Sequence, residues 1–185
     1  RKSEIKQMAI DNGYVDLANK SESYEICFVP DNDYRGFLKR KDPGLEDRVK
    51  GGNFVNREGK VLGKHEGYPF YTIGQRKGLE IAVGHPLYVT EIQPETNTVV
   101  LGEKEDLEKR EMLVKKVNMI KYAELPEGFE ALTKIRYKDK GMMSRLTHEG
   151  DLLKVEFYNN VSAIAPGQSA VFYEGNDLLG GGFIK

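Results

Sequence analysis

Long apolar runs are absent from this 185-residue sequence, and no segment approaches the roughly 20 apolar residues that a membrane-spanning helix requires. Cysteine is nearly absent as well, because Cys27 is the only one, and this argues against a disulfide framework. A P-loop and a dinucleotide-binding fingerprint are also missing. The charges of the 28 basic and 29 acidic residues nearly cancel, so the net charge does not indicate nucleic-acid binding. A local basic face that binds nucleic acid is still compatible with this composition.

Histidine is scarce, and His65, His85 and His148 have no cysteine or acidic neighbours at ligand spacing. We therefore expect no metal site. The single cysteine and the absence of a signal-peptide pattern favour the reducing cytoplasm. Arg1 opens in the middle of a helical pattern, which indicates a fragment of a longer protein, with a processed complete domain as the alternative.

Hydrophobic residues make up 39% of the sequence, and their spacing changes along it. Residues 3–11 and 33–41 show helical spacing, with Gly13 placed to end the first helix. Residues 51–63 are typical of a β-hairpin. Beyond Pro86, short alternating segments predict strands over 87–92, 98–101, 112–120, 130–138, 142–147, 152–158, 169–173 and 180–184.

Strands of this length and spacing predict a small antiparallel barrel. We therefore expect a mainly β protein of the α+β class. The expected organisation is a first segment over 1–30 that carries the Cys27 loop, a small central domain over 31–84 with short helices and the hairpin, and the barrel over 85–185.

Cys27 lies where a polar stretch, Ser21 to Ser23, meets the apolar residues Ile26, Phe28 and Val29. A free cysteine in such a place is most often a small buried hydrophobe. The alternative is a reactive thiol at the edge of a loop, and the sequence leaves both readings open. Because no histidine lies close in sequence, a protease-like dyad has no support beyond the lone cysteine.

Three further sites have both a functional and a plain structural interpretation. The glycine-rich stretch 64–79 contains Gln75, Arg76 and Lys77, which suit a phosphate but equally suit an ordinary solvated loop. Arg136 and Tyr137 suit RNA contacts, although the alternation around them favours a strand with one buried face. Gln168, after Pro166 and Gly167, is equally compatible with a turn residue.

Three strings carry a resemblance to a known family. They are Ile26-Cys27-Phe28, the stretch 65–79 with Tyr-Thr-Ile-Gly-Gln-Arg-Lys-Gly-Leu at 71–79, and Ala-Pro-Gly-Gln-Ser-Ala-Val-Phe-Tyr at 165–173. In this order they resemble the bacterial tRNA-specific 2-thiouridylases, over essentially the whole chain. The resemblance is to the central domain and β-barrel of that family, without its N-terminal ATP-pyrophosphatase domain, so residues 1–30 would be the tail of that catalytic domain.

The resemblance implies insertion of sulfur at C2 of the anticodon wobble uridine of tRNA. ATP, bound by the absent domain, would activate the uracil oxygen, and a sulfur-donor protein, a cysteine desulfurase or sulfur relay, would supply a cysteine persulfide. Cys27 matches one catalytic cysteine of the family, and the other would lie upstream of Arg1, so that the pair passes through a disulfide. Ser23, Tyr24 and Glu25 depart from the family's more usual Asp-Ser, which affects the surroundings of the thiol.

The resemblance also implies tRNA-binding roles for Arg136, Tyr137 and Gln168, and Gln75, Arg76 and Lys77 are further candidates for tRNA binding. We expect the fragment to be inactive alone and to contain no metal. An alternative is a non-catalytic RNA-binding barrel, like those of translation factors, in which Cys27 is merely buried. A cysteine hydrolase is a third and weaker hypothesis.

Overall fold

The computed structural model describes residues 1–20, 29, 33–137 and 139–185. Cys27 and the strand expected around it therefore lie outside the described residues, except for Val29, which is buried as expected. The chain divides into two units, Arg1–Leu45 and Glu46–Lys185. Of the helices in the described ranges, none is long and apolar enough to cross a membrane.

The described residues of the first unit form three short helices: α1 (Lys2–Asp11), α2 (Val15–Asn19) and α3 (Tyr34–Lys41). The helices expected at 3–11 and 33–41 are thus confirmed. Gly13 adopts a left-handed φ of 83°, which ends α1 as expected, and its amide donates to the Ile10 carbonyl. Asp33 caps α3 by accepting a 2.8 Å hydrogen bond from the Gly36 amide.

A four-stranded sheet opens the second unit. After α4 (Leu45–Val49), strands β1 (Gly52–Val55) and β2 (Val61–His65) form the antiparallel hairpin that the sequence predicts. Two further strands, β3 (Tyr88–Gln93) and β4 (Thr98–Gly102), complete the sheet in the order β2-β1-β4-β3. The sheet is mixed, because β1 runs parallel to β4 while the other neighbours are antiparallel.

The placement of β3 and β4 corrects one expectation. Both strands form where the sequence predicts them, but they pair with the hairpin rather than with the barrel expected over 85–185. Alternation along a segment shows which face of a strand is buried, and it does not show which strand lies alongside. Here Val89, Val99 and Leu101 are buried in the same unit as Phe54 of β1.

The remaining six strands close into a barrel. They are β5 (Glu108–Met119), β6 (Phe129–Lys134), β7 (Met142–Glu149), β8 (Leu152–Ser162), β9 (Ser169–Glu174) and β10 (Asp177–Ile184). The order around the barrel is β10-β5-β8-β7-β6-β9, and every neighbouring pair is antiparallel. The expected mainly β fold with an antiparallel barrel is therefore confirmed.

Inward side chains of these strands form the barrel core, with Val114, Leu146, Val155 and Phe172 essentially inaccessible to solvent. One pair of hydroxyls interrupts this apolar interior: Thr133 Oγ1 and Ser144 Oγ lie 2.7 Å apart, and Ser144 also donates to the Ala131 carbonyl at 3.2 Å. Buried hydroxyls without such partners would destabilise the fold.

Candidate nucleic-acid interface

The turn between β6 and β7 determines where Arg136 and Tyr137 lie. The sequence predicts a strand over 130–138, but β6 ends at Lys134 and the chain then turns. Asp139 organises this turn, because its carboxylate accepts from the amides of Ile135 at 3.2 Å and Gly141 at 3.0 Å. An aspartate that hydrogen-bonds nearby backbone amides competes with continued strand pairing, which explains the early end of β6.

The same turn separates a buried residue from two exposed ones. Ile135 is 1% exposed and packs in the barrel core, whereas Tyr137 is 95% exposed. A tyrosine this exposed adds almost nothing to the hydrophobic stabilisation of the fold, so its ring is available to a partner. The structural alternative for Arg136 and Tyr137, a strand with one buried face, is therefore wrong.

The side chain of Arg136 is held by a strand outside the turn. Its guanidinium donates a 3.0 Å hydrogen bond from Nη2 to the carbonyl of Ser162, the last residue of β8. Within the described part of the chain, no carboxylate pairs with this guanidinium. Its charge and its remaining donors are therefore available for an anionic group such as a phosphate.

Gln168 lies in the turn between β8 and β9, where backbone hydrogen bonds hold the chain. Gly167 donates to the Ile184 carbonyl at 2.8 Å, and Ile184 donates to the Gln168 carbonyl at 2.8 Å. Gly167 has a φ of 86°, a conformation that favours glycine. Gln168 is thus a turn residue, as one reading held, but its side chain is exposed and no described residue hydrogen-bonds to its amide group.

The two turns meet at one cavity of about 560 Å³, which we call the turn cavity. It is lined by Arg136, Tyr137 and Gln168, and thus by all three residues that the resemblance links to tRNA. Lys134 and Tyr173 also line it, with the Lys134 ammonium 5.2 Å from the centre of the Tyr173 ring. Cationic and aromatic side chains around one cavity suit the phosphates and bases of single-stranded RNA.

Sequence reasoning missed Lys134 and Tyr173 as members of this cavity. Tyr173 ends the Ala-Val-Phe-Tyr string at 170–173, so the motif itself offered a signal. Lys134 offered no signal, because a lysine at the end of a strand is an ordinary surface residue in a sequence. Only the pairing of β6 with β9 brings the two side chains together.

Gln75, Arg76 and Lys77 lie elsewhere and do not line the turn cavity. Gln75 stabilises its own loop: its Oε1 accepts from the Thr72 amide at 3.1 Å and its Nε2 donates to the Lys77 carbonyl at 3.0 Å. The side chains of Arg76 and Lys77 are exposed to solvent. These contacts give Gln75 a structural role, and the tRNA-binding role of the three residues stays a prediction.

His65 opens the same motif and belongs to the core of the second unit. It is 5% exposed, its Nδ1 accepts from the Gly67 amide at 3.0 Å, and its ring lies 5.1 Å from that of Phe54 and 5.4 Å from that of Tyr71. Burial lowers the pKa of His65, and the nearby Asn97 backbone partly offsets this. Across the described ranges, no three His, Cys, Asp or Glu side chains converge in a group able to hold a metal ion.

Two family models match the chain, and their limits follow the two β structures. The tRNA methyl transferase PRC-barrel domain matches residues 44–103, which contain the four-stranded sheet. The aminomethyltransferase beta-barrel domain matches residues 109–184, which contain almost the whole six-stranded barrel.

Curated proteins similar to the whole chain include three named tRNA-specific 2-thiouridylase MnmA. That of Cytophaga hutchinsonii is 60% identical over all of this chain and 50% of the relative, and that of Amoebophilus asiaticus is 57% identical over all of this chain and 49% of the relative. That of Salinibacter ruber is 50% identical over 99% of this chain and 48% of the relative. The chain therefore belongs to the tRNA-specific 2-thiouridylase family, and it spans about half the length of the curated relatives that it matches.

Proposed function

We propose that this chain is the tRNA-binding and sulfur-carrying portion of a tRNA-uridine 2-sulfurtransferase, which inserts sulfur at C2 of the anticodon wobble uridine. The observation that carries the proposal is the turn cavity, where Arg136, Tyr137 and Gln168 come together from two turns far apart in sequence. The name of the relatives, tRNA-specific 2-thiouridylase, supports tRNA as the substrate. The site of action is the cytoplasm.

The turn cavity binds RNA through three kinds of contact. The Arg136 guanidinium, free of carboxylate partners among the described residues, pairs with a backbone phosphate. The exposed Tyr137 ring stacks on an unpaired base, which contributes about 1–3 kcal/mol per base. The Gln168 amide both donates and accepts, so it hydrogen-bonds a base edge or a ribose hydroxyl.

Cys27 lies outside the described residues, and its role rests on chemistry and on the family motif. Carbon C2 of uracil is a weak electrophile until its oxygen becomes a good leaving group, and a sulfur anion then displaces that group. A sulfur-donor protein loads a cysteine as a persulfide, and its outer sulfur bonds to C2 as the activated oxygen leaves. The thiolate of a second cysteine then attacks the inner sulfur, so that the C2-bound sulfur leaves as the thiouridine and the two cysteines are joined in a disulfide. The second cysteine belongs to the part of the relatives that this chain does not span, because Cys27 is the only one here.

ATP activation of the uracil oxygen is assigned to that same outside part. The sequence contains no P-loop, and its paired glycines Gly51 and Gly52 lead into strand β1 rather than into the start of a helix. We expect residues 1–185 alone, supplied with ATP and a sulfur donor, to form no thiolated uridine.

Binding of an anticodon stem-loop RNA to the chain tests the tRNA-binding role. We expect Arg136→Ala and Tyr137→Ala each to raise the dissociation constant about tenfold or more. The melting temperature should change little, because both side chains are exposed. Tyr14→Ala, which removes an exposed tyrosine of the first unit, is the matched control and should bind normally. Equal affinity of all four proteins would contradict the proposal.

A non-catalytic RNA-binding barrel would give the same binding result, so the thiol must separate the two functions. A Cys27 thiol that reacts rapidly with a thiol reagent in the folded chain supports the sulfur-carrying role. An inert thiol supports the non-catalytic alternative.

A further inference from the structure

A second cavity, of about 500 Å³, lies at the junction of the sheet and the barrel within the second unit. We call it the junction cavity. It is lined by Tyr71 and Thr72 of the loop that carries the 71–79 string, which we call the motif loop, and by Glu91 of β3. Met112 of β5 and two residues of the turn between β8 and β9, Ile164 and Gln168, also line it. Cavities of roughly 300–1,000 Å³ between structural units are common ligand sites.

The walls of the junction cavity combine apolar surface with polar groups. Tyr71, Met112 and Ile164 are largely buried apolar side chains, which suit a flat ring. Thr72 and Gln168 lie on its exposed side, and each carries a group that can hydrogen-bond. This pattern, with apolar walls and few polar groups, is typical of a site for a heteroaromatic ring.

Both acidic and basic side chains line the junction cavity, and the basic ones, Lys109 and Lys185, suit an anionic group at its edge. Glu111 lines it but faces the Lys154 ammonium at 3.3 Å, and Glu91 accepts a 2.8 Å hydrogen bond from the Gln93 amide. Lys109 also lines the cavity, and no carboxylate in the described ranges pairs with it. A heteroaromatic ring joined to a phosphate, as in a nucleotide, matches this arrangement.

Gln168 lines both the junction cavity and the turn cavity, so the two cavities lie next to each other at this side chain. Each cavity also has cationic lining residues, Lys109 in one and Lys134 with Arg136 in the other. An RNA strand held in the turn cavity therefore reaches the junction cavity across the Gln168 side chain.

We propose that the junction cavity takes one unpaired, amino-bearing nucleotide of the bound RNA, a role that rests on RNA binding at the turn cavity. The base lies among Tyr71, Met112 and Ile164, and its amino group donates to the Glu91 carboxylate. Lys109 pairs with the adjoining phosphate. This second site sets the register in which the RNA lies on the protein.

Abasic substitutions in the anticodon stem-loop RNA, one loop position at a time, test the inference with the whole chain. We expect one position at which loss of an amino-bearing base weakens binding about fivefold to tenfold. Thr72→Trp fills the mouth of the junction cavity from an exposed position, so the abasic substitution at that position should no longer weaken binding to this variant. In Arg136→Ala, which weakens binding through the other cavity, the same substitution should keep its full effect.

A second variant does not depend on packing inside the cavity. Lys109→Ala should reduce the slope of log affinity against log salt by about 0.7, the value for one contact to a single-stranded phosphate. Lys60→Ala, an exposed lysine in the turn between β1 and β2, is the matched control and should leave the slope unchanged.

The outcomes separate this inference from the proposed function. The junction cavity does not bind a nucleotide if Thr72→Trp changes the effect of no abasic substitution and Lys109→Ala leaves the salt slope unchanged. If Arg136→Ala still weakens binding in that case, RNA binding at the turn cavity stands. If Arg136→Ala and the unsubstituted chain bind the RNA alike, the proposed function fails and this inference fails with it.

Discussion

Gly74 of the motif loop lies against Ala163, the residue after barrel strand β8, so closely that a Cβ on Gly74 would be 2.9 Å from the Ala163 Cβ. The loop is held on the other side by β3, because the Gly74 amide donates to the Val89 carbonyl at 2.8 Å and the Val89 amide donates to the Gln75 carbonyl at 2.9 Å. The contact therefore links the sheet to the barrel, next to Ile73 and Ile164, which line the junction cavity.

Gly74→Ala should destabilise the second unit by about 2 kcal/mol or more, because a left-handed backbone costs a non-glycine residue about 1–2 kcal/mol and the Ala163 contact adds to it. Gly78→Ala in the same loop is the matched control, since Gly78 has a φ of 72° with open space around it. Urea unfolding of both variants measures the difference. Equal losses of unfolding free energy would show that the Ala163 contact contributes nothing.

Ser144→Ala should destabilise the barrel by about 1–3 kcal/mol, because it leaves the buried Thr133 hydroxyl without its 2.7 Å partner. The double variant Thr133→Val with Ser144→Ala removes both hydroxyls, so its loss should be smaller than the sum of the single losses. Denaturant midpoints of the four proteins give the coupling. Strictly additive losses would mean that the two hydroxyls do not support each other.

The unfolding free energy should fall as the pH drops below about 6.5, because the pKa of His65 is lower in the folded protein than in the unfolded chain. As the pH falls below about 6.5, the unfolded chain is protonated at His65 before the folded protein is. Above that pH, His65 is neutral in both states and its contribution to the unfolding free energy is fully present. One such proton gives a slope of at most about 1.4 kcal/mol per pH unit.

His65→Gln removes the titrating group and should flatten this part of the pH profile, whatever its effect on stability at neutral pH. His148→Gln, which replaces an exposed histidine, should keep the profile. Urea midpoints between pH 5 and pH 8 supply the comparison, and an unchanged slope in His65→Gln would refute the assignment to His65.

Cys27→Ser, placed in an intact enzyme of the length of the curated relatives, should abolish thiolated uridine while leaving the tRNA dissociation constant within about twofold. A hydroxyl of the same shape cannot carry the persulfide sulfur, and the residues proposed to bind tRNA are unchanged in this variant. Mass spectrometry of the nucleosides and a binding titration measure the two quantities. Product at the normal rate would remove Cys27 from the chemistry.

Much of the local structure could be predicted from the sequence. Gly13 marks the end of α1, and alternation locates the strands that become β3 to β10 within a few residues. The end of β6 at Lys134 was missed because Asp139 captures two amides of the turn, and a hydrogen bond formed across a turn leaves no mark in the hydrophobic pattern.

The sequence by itself determined the mainly β content, the glycine turns and the motifs of the family, since each depends on residues close together in the chain. Only the tertiary structure decided that β3 and β4 join the hairpin and that Arg136, Tyr137 and Gln168 line one cavity with Lys134 and Tyr173. The choice of neighbouring strands depends on contacts between residues distant in sequence, and alternation encodes only which side of each strand is buried.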